Sequence, residues 1–279
     1  MQSAFVRHMA RLGATFVAAA SFFTAMPSQA QGDLLVAPTR VILDGRRGTE
    51  IILSNIGSEE ATYRIGLELR RMMPDGSLVD VETVDSNDKE DAALSMIRYA
   101  PRRITLPPGQ PQAVRIAARP EAELPDGEYR VHMSFRAIPQ QTPVSEQSAE
   151  PAQGISFKLV PVYGVTIPII VRHGRVEAQV ALHNPQVVQG ERGPELHLRM
   201  TRQGESSTYG ELRVKKRGSG EPIYVVRGVA IYPEIQSRTV ELPLTPEQAA
   251  AMTGSLTFEY REMPENGGGL IASVDTVLG

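Results

Sequence analysis

The chain contains no cysteine and no tryptophan. Without thiols there is no disulfide scaffold, no thiolate zinc or iron–sulfur site and no cysteine nucleophile. The fold must stand on hydrophobic burial alone. Catalytic signatures are missing as well. His132, His173, His183 and His197 are scattered, with no H-E-x-x-H or similar metal spacing. The "GES" at 204–206 lacks the nucleophile elbow G-x-S-x-G, and there is no Walker loop. The "ENGGG" at 265–269 has no strand–loop–helix context, so it reads as a hairpin tip rather than a phosphate cradle. These absences predict a protein that is not an enzyme, works without ATP, and has no cofactor and no metal site. An excess of basic charge is also lacking, since the formal net charge is −3. No nucleic-acid partner is expected.

Long apolar runs are confined to the first thirty residues. Arg7, His8 and Arg11 precede the apolar "LGATFVAAASFFTAM", and small residues at Ser28 and Ala30 end the segment. This is the pattern of a secretory signal peptide over 1–30, and the apolar run is shorter than the roughly 20 residues of a spanning helix. Removal of 1–30 takes away Arg7 and Arg11 and no acidic residue, which moves the net charge to −5. The remaining length suits two domains of about 100–150 residues each.

Beyond Ala30 the chain is dominated by period-two alternation and turn residues. "GTEIILSNIG" reads as a strand that stops at Asn55 and Gly57, and "ATYRIGLELRRM" as a longer strand closed by the turn "PDGS". "RRITLPPG" and "QAVRIAARP" are strands flanking a Pro-Pro-Gly turn. In "LPDGEYRVHMSFRAIP", Tyr129, Val131, Met133 and Phe135 share one face, which leaves His132 on the opposite, solvent-exposed one. Only "SNDKEDAAL" and "TPEQAAAM" suggest helix. Residues 140–153 are polar and aperiodic, a connector. Next comes an apolar face of odd positions, Ile155, Phe157, Leu159, Pro161, Tyr163, Val165, Ile167 and Ile169. Seven further short strands come after "RHG". The expected fold class is all-β, with β-sandwich domains. One residue stands out in "VAPTRVILDG": Arg40 either snorkels from an edge strand or awaits an acidic partner.

Five segments, in order, resemble the PapD-like periplasmic chaperones of pilus assembly. They are "TRVILDG" (39–45), "ILSNIG" (52–57), "RITLPPGQPQAVRI" (103–116), "LPDGEYRVHMSFRAIP" (124–139) and "IPIIVR" (167–172). The resemblance implies two immunoglobulin-like sandwiches in a boomerang arrangement, with domains at 31–172 and 173–279. It implies a periplasmic location and capture of unfolded pilin (fimbrial) subunits by donor-strand complementation, ending in transfer to an outer-membrane usher. Ile155, Phe157 and Leu159 are the candidate donor-strand side chains, while Val165, Ile167 and Ile169 are assigned to the domain's own core. Such an apolar edge requires a partner or self-capping in a homodimer.

The resemblance also implies an anchor for the subunit's terminal carboxylate. Arg40 matches its arginine, but its lysine falls on Pro168, which cannot serve; Thr166 offers only a hydroxyl, and Lys158 lies too far along the strand. Glu128 and Arg172 match an interdomain salt bridge. Two rival readings remain, an exported Ig-like adhesion or surface structural protein, and a pilus subunit. Against the second, the "TRVILDG" strand begins almost directly after Ala30.

Overall fold

A computed structural model describes residues 34–139 and 162–279. The signal segment 1–30, the connector and the donor candidates Ile155, Phe157 and Leu159 lie outside the described residues, as does Lys158. No helix among the described residues is long and apolar enough to cross a membrane.

The protein is all-β, built as two Ig-like sandwiches. In the first, β1 (Leu34–Ala37), β3 (Thr49–Asn55), β8 (Pro111–Ala118) and β6 (Ile97–Ala100) form one sheet in the order β1-β3-β8-β6. The facing sheet runs β2 (Val41–Leu43), β10 (Gly164–His173), β9 (Gly127–Ile138), β4 (Ala61–Met72) and β5 (Leu78–Val81), with β7 (Arg103–Leu106) also on β4. The chain passes between the sheets repeatedly, including from β1 to β2 and from β6 to β7. The peptide bonds Ala37–Pro38 and Ala100–Pro101 at these crossings are cis.

Alternation sends every second side chain inward. Tyr129, Val131, Met133 and Phe135 of β9 are all buried, and Ile167 and Ile169 of β10 join the same core, with Val165 packed against it. Near the start of β9 the Tyr129 hydroxyl donates to the Pro125 carbonyl at 2.8 Å, the tyrosine corner of Ig-like sandwiches. Asn55 ends β3 for a definable reason. Its fully buried amide donates to the carbonyls of Glu59 (2.6 Å) and Leu106 (2.9 Å), and its Oδ1 accepts the Gly57 N–H at 3.0 Å. Backbone groups that no ladder reaches are thereby satisfied. The one long helix of this domain, α1 (Asp88–Met96), starts at a capping box between Asn87 and Glu90.

The second sandwich contains the seven strands expected. Its sheets are β11 (Ala178–Gly190), β12 (Gly193–Gly204) and β15 (Ser237–Pro243), in that order, and β14 (Pro222–Ile231), β13 (Thr208–Lys216), β16 (Gly254–Glu262) and β17 (Leu270–Leu278). Its core holds Leu196, Leu198, Met200, Leu212, Val214, Phe258 and Tyr260. "TPEQAAAM" forms α2 (Pro246–Ala251), and "ENGGG" lies at the hairpin tip between β16 and β17. Gly174 follows β10 with φ +66°, and a Cβ there would fall 1.7 Å from an Asp126 oxygen. Only glycine fits that junction between the sandwiches.

Candidate binding cleft

The outer face of the β10–β9–β4 sheet does not face solvent throughout. Ile170 of β10 is fully buried against Met72 of β4 and against Ala230 and Tyr232 of the second sandwich. Tyr232 lies between two guanidinium groups of the first sandwich. Arg130 stacks on its ring 3.6 Å from the centroid, and Arg40 sits 5.4 Å away on the same ring. Two residues further on, Glu234 pairs with Arg130 and accepts the Met72 N–H at 2.8 Å. The segment 232–234 thus grips the first sandwich by an aromatic ring and a carboxylate.

This packing corrects the expectation for His132. Instead of facing solvent it is 2 % exposed, and neither ring nitrogen has a hydrogen-bond partner among the described residues. Alternation does turn it away from the core of its own domain. The second sandwich, absent from a strand-by-strand reading, covers part of that face at Ile170 and Arg130. Burial first, and then the positive fields of Arg130, Arg70 and Arg40, push its pKa down from 6.5 to about 3. Between those values the unfolded chain binds a proton that the folded chain refuses, so stability falls as pH drops through that window. The expected result is an acid slope approaching one proton in urea titrations from pH 6.5 towards 4, reduced in His132→Leu.

Arg40 lies at the β1–β2 crossing. Its guanidinium donates to the Tyr232 hydroxyl at 2.9 Å and to Ser207 Oγ at 3.0 Å, and the Tyr209 ring lies 4.8 Å away. All these partners are neutral. Among the described residues no carboxylate lies within ion-pair distance of Arg40, although most arginines of this sheet have one, as Arg70, Arg71, Arg130, Arg136 and Arg172 do. The charge opens on a cavity of about 540 Å³ lined by Arg40, Arg172, Ser206, Ser207, Thr208 and Tyr209 among others. Glu177 and Glu262 line the same cavity, and Arg172 is paired with Glu128, so Arg40 is its lining cation with neutral hydrogen-bond partners.

Val41 stands opposite Ile169 in the parallel β2–β10 pairing, so Arg40 comes level with Pro168. The position where the resemblance requires lysine is therefore beside Arg40 and carries no charge. Thr166 does not supply a substitute, because its hydroxyl donates to Glu68 at 3.2 Å. Glu128 and Arg172 are cross-strand neighbours in the first sandwich, with Arg172 Nε 3.3 Å from Glu128 Oε2. Their link to the second sandwich runs through Ser207. Its N–H donates to Glu128 Oε2 at 3.0 Å and its carbonyl accepts from Arg172 at 3.2 Å.

Sequence reasoning passed over Tyr209, Ser207, Tyr232 and Arg202. Arg202 is 4 % exposed, and its guanidinium donates to the carbonyls of Gly204 (2.6 Å), Ser206 (3.0 Å) and Pro233 (3.0 Å). One side chain thus ties together the two loops that present Ser207 and Tyr232. A lone arginine in an alternating strand gives no signal of this. β10 adds a second feature. Its residues 169–171 pair with β2, whereas Gly164 to Pro168 pair only with β9, leaving their other edge without a partner among the described residues.

The protein is thus a tandem Ig-like protein with a cleft between its sandwiches that holds Arg40, and beside it an edge strand left half open among the described residues. No family model and no curated protein matches the sequence. Solved structures do. The YadV chaperone is 14 % identical over 88 % of this chain and 100 % of its own, with a TM-score of 0.48. The E. coli chaperone DraB is 15 % identical over 89 % and 97 %, with a TM-score of 0.46. A chain of the CsuC–CsuE chaperone–tip adhesion subunit pre-assembly complex, from archaic chaperone–usher Csu pili of Acinetobacter baumannii, is 15 % identical over 88 % and 98 %, with a TM-score of 0.42.

Proposed function

We propose that this protein is a periplasmic chaperone of pilus assembly that binds fimbrial subunits without ATP and yields them to an outer-membrane usher. The observation that carries the reading is Arg40, a cation at the cleft whose partners are all neutral. A subunit's terminal carboxylate would complete it, through a charge-assisted and bidentate contact. The edge at Gly164 to Pro168, without a partner among the described residues, supports the second half of the mechanism. A subunit strand added there gains main-chain hydrogen bonds, while alternate side chains of the preceding segment enter its groove. Ile155, Phe157 and Leu159 would be those side chains, each contributing about 1.5–3 kcal/mol when fully buried.

Co-expression with a candidate fimbrial subunit tests the reading. Polar substitution of Ile155, Phe157 and Leu159 together should abolish co-purification of the subunit while leaving the melting temperature of the free chaperone unchanged. Undiminished recovery of the complex would count against donor-strand capture by this segment.

A further inference from the structure

The outer face of the second sandwich holds a cluster unrelated to the cleft. Leu196 and Leu198 of β12 point into the core, so Glu195 and His197 point outward. Glu241 of β15 stands directly opposite His197 in the antiparallel register. One donor atom from each of Glu195, His197 and Glu241 lies within 4.8 Å of the others. β12 is the central strand of its sheet, which fixes the spacing of all three. A Cβ on Gly190 would come 2.4 Å from Glu195 Oε1, so that carboxylate rests in the space a bare backbone leaves.

The charges of this cluster are unbalanced. Elsewhere on the same sandwich Glu211 pairs with Arg213 and Arg227, and Glu259 with Lys215 and Arg261. Among the described residues neither Glu195 nor Glu241 has an arginine or lysine within ion-pair distance, and the partner of Glu195 is His197 Nε2 at 2.8 Å. Two carboxylates without an arginine or lysine partner among the described residues thus share one face with an imidazole, three potential metal donors in one group.

We infer that Glu195, His197 and Glu241 form a binding site for a divalent transition-metal cation of the Zn²⁺ type. One imidazole and two carboxylates form a donor set suited to zinc, whereas calcium and magnesium prefer oxygen alone. Zinc bonds of about 2.0–2.2 Å place neighbouring ligand atoms roughly 3.4 Å apart at a tetrahedral angle. The three donor atoms, all within 4.8 Å of one another, have a spacing of this order. Binding takes the Nε2 lone pair of His197, so the proton shared with Glu195 moves to Nδ1 or to solvent. Three protein ligands leave at least one coordination position for water or for a donor from another molecule.

Calorimetric titration of the tag-free mature chain with ZnCl₂, with CaCl₂ and MgCl₂ alongside, tests the inference. The expected result is one Zn²⁺ per chain, bound at least ~100-fold more tightly than Ca²⁺ or Mg²⁺. His197→Ala should weaken zinc by at least ~100-fold, more than the loss of an outer-shell partner, and Glu241→Gln by ~10-fold or more. Zinc should raise the melting temperature of the wild type and not that of His197→Ala. Because Glu241 is exposed, its variant keeps the test valid if His197→Ala fails to fold. Absence of zinc binding, or binding unchanged in both variants, overturns the assignment.

Discussion

Replacing Arg40 by alanine is expected to lower affinity for a fimbrial subunit by about 10- to 150-fold, the loss of a charge-assisted contact of about 1.5–3 kcal/mol. Stability should fall by a comparable free energy. Arg40 has no ion pair to lose among the described residues, only two hydroxyl hydrogen bonds and stacking against Tyr209 and Tyr232. At a partly exposed site these sum to at least about 2 kcal/mol. Subunit recovery is therefore measured without denaturant, where the variant remains folded by its circular dichroism, so that the loss of co-purified subunit reports binding. Arg40→Lys should fall between wild type and alanine, because it keeps the charge and loses the fork that engages Tyr232 and Ser207 together. Equal subunit recovery by wild type and Arg40→Ala would remove the anchor from the proposed mechanism.

Glu128→Ala should give the largest loss of stability, about 3 kcal/mol in urea unfolding. The Glu128 side chain is fully buried, and a single oxygen, Oε2, accepts from both Arg172 and the Ser207 N–H. Truncation strands a guanidinium and a buried backbone donor at once. Burial of the acceptor, rather than Coulomb attraction by itself, makes the change costly. The figure sits at the low end of the range for broken buried pairs because Arg172 is 36 % exposed and regains water. Glu128→Gln retains an acceptor for Ser207 and should lose roughly half as much. Because Ser207 also accepts from Arg40, Glu128→Ala should weaken subunit binding too, by loosening that hydroxyl. A loss of stability below about 1 kcal/mol would mean that Ser207 finds another acceptor.

The strands were legible because the chain alternates with period two and places turn residues between the runs. β3, β4, β9 and the seven strands of the second sandwich all begin and end near such signals. Both short helices were legible for a related reason, since Asn87 with Glu90 and Thr245 with Gln248 form capping boxes that local sequence alone dictates. Arg40 was conspicuous because it interrupts an apolar run. Tyr232, Ser207 and Arg202 were not, for aromatic, small polar and isolated basic residues occur in any strand or loop.

The β-strands, their buried faces and the cation at residue 40 were all readable from local sequence. These depend on near neighbours, and a pattern of two or three residues records them. What each outward face meets was settled by the packing of whole sheets. His132 is buried on the outward face of its strand, and Arg40 meets Ser207 and Tyr232 across 167 and 192 residues of chain. His197, isolated in the sequence, gains Glu241 as its cross-strand neighbour. Contacts between outward faces depend on how whole sheets pack, and no local periodicity encodes that placement.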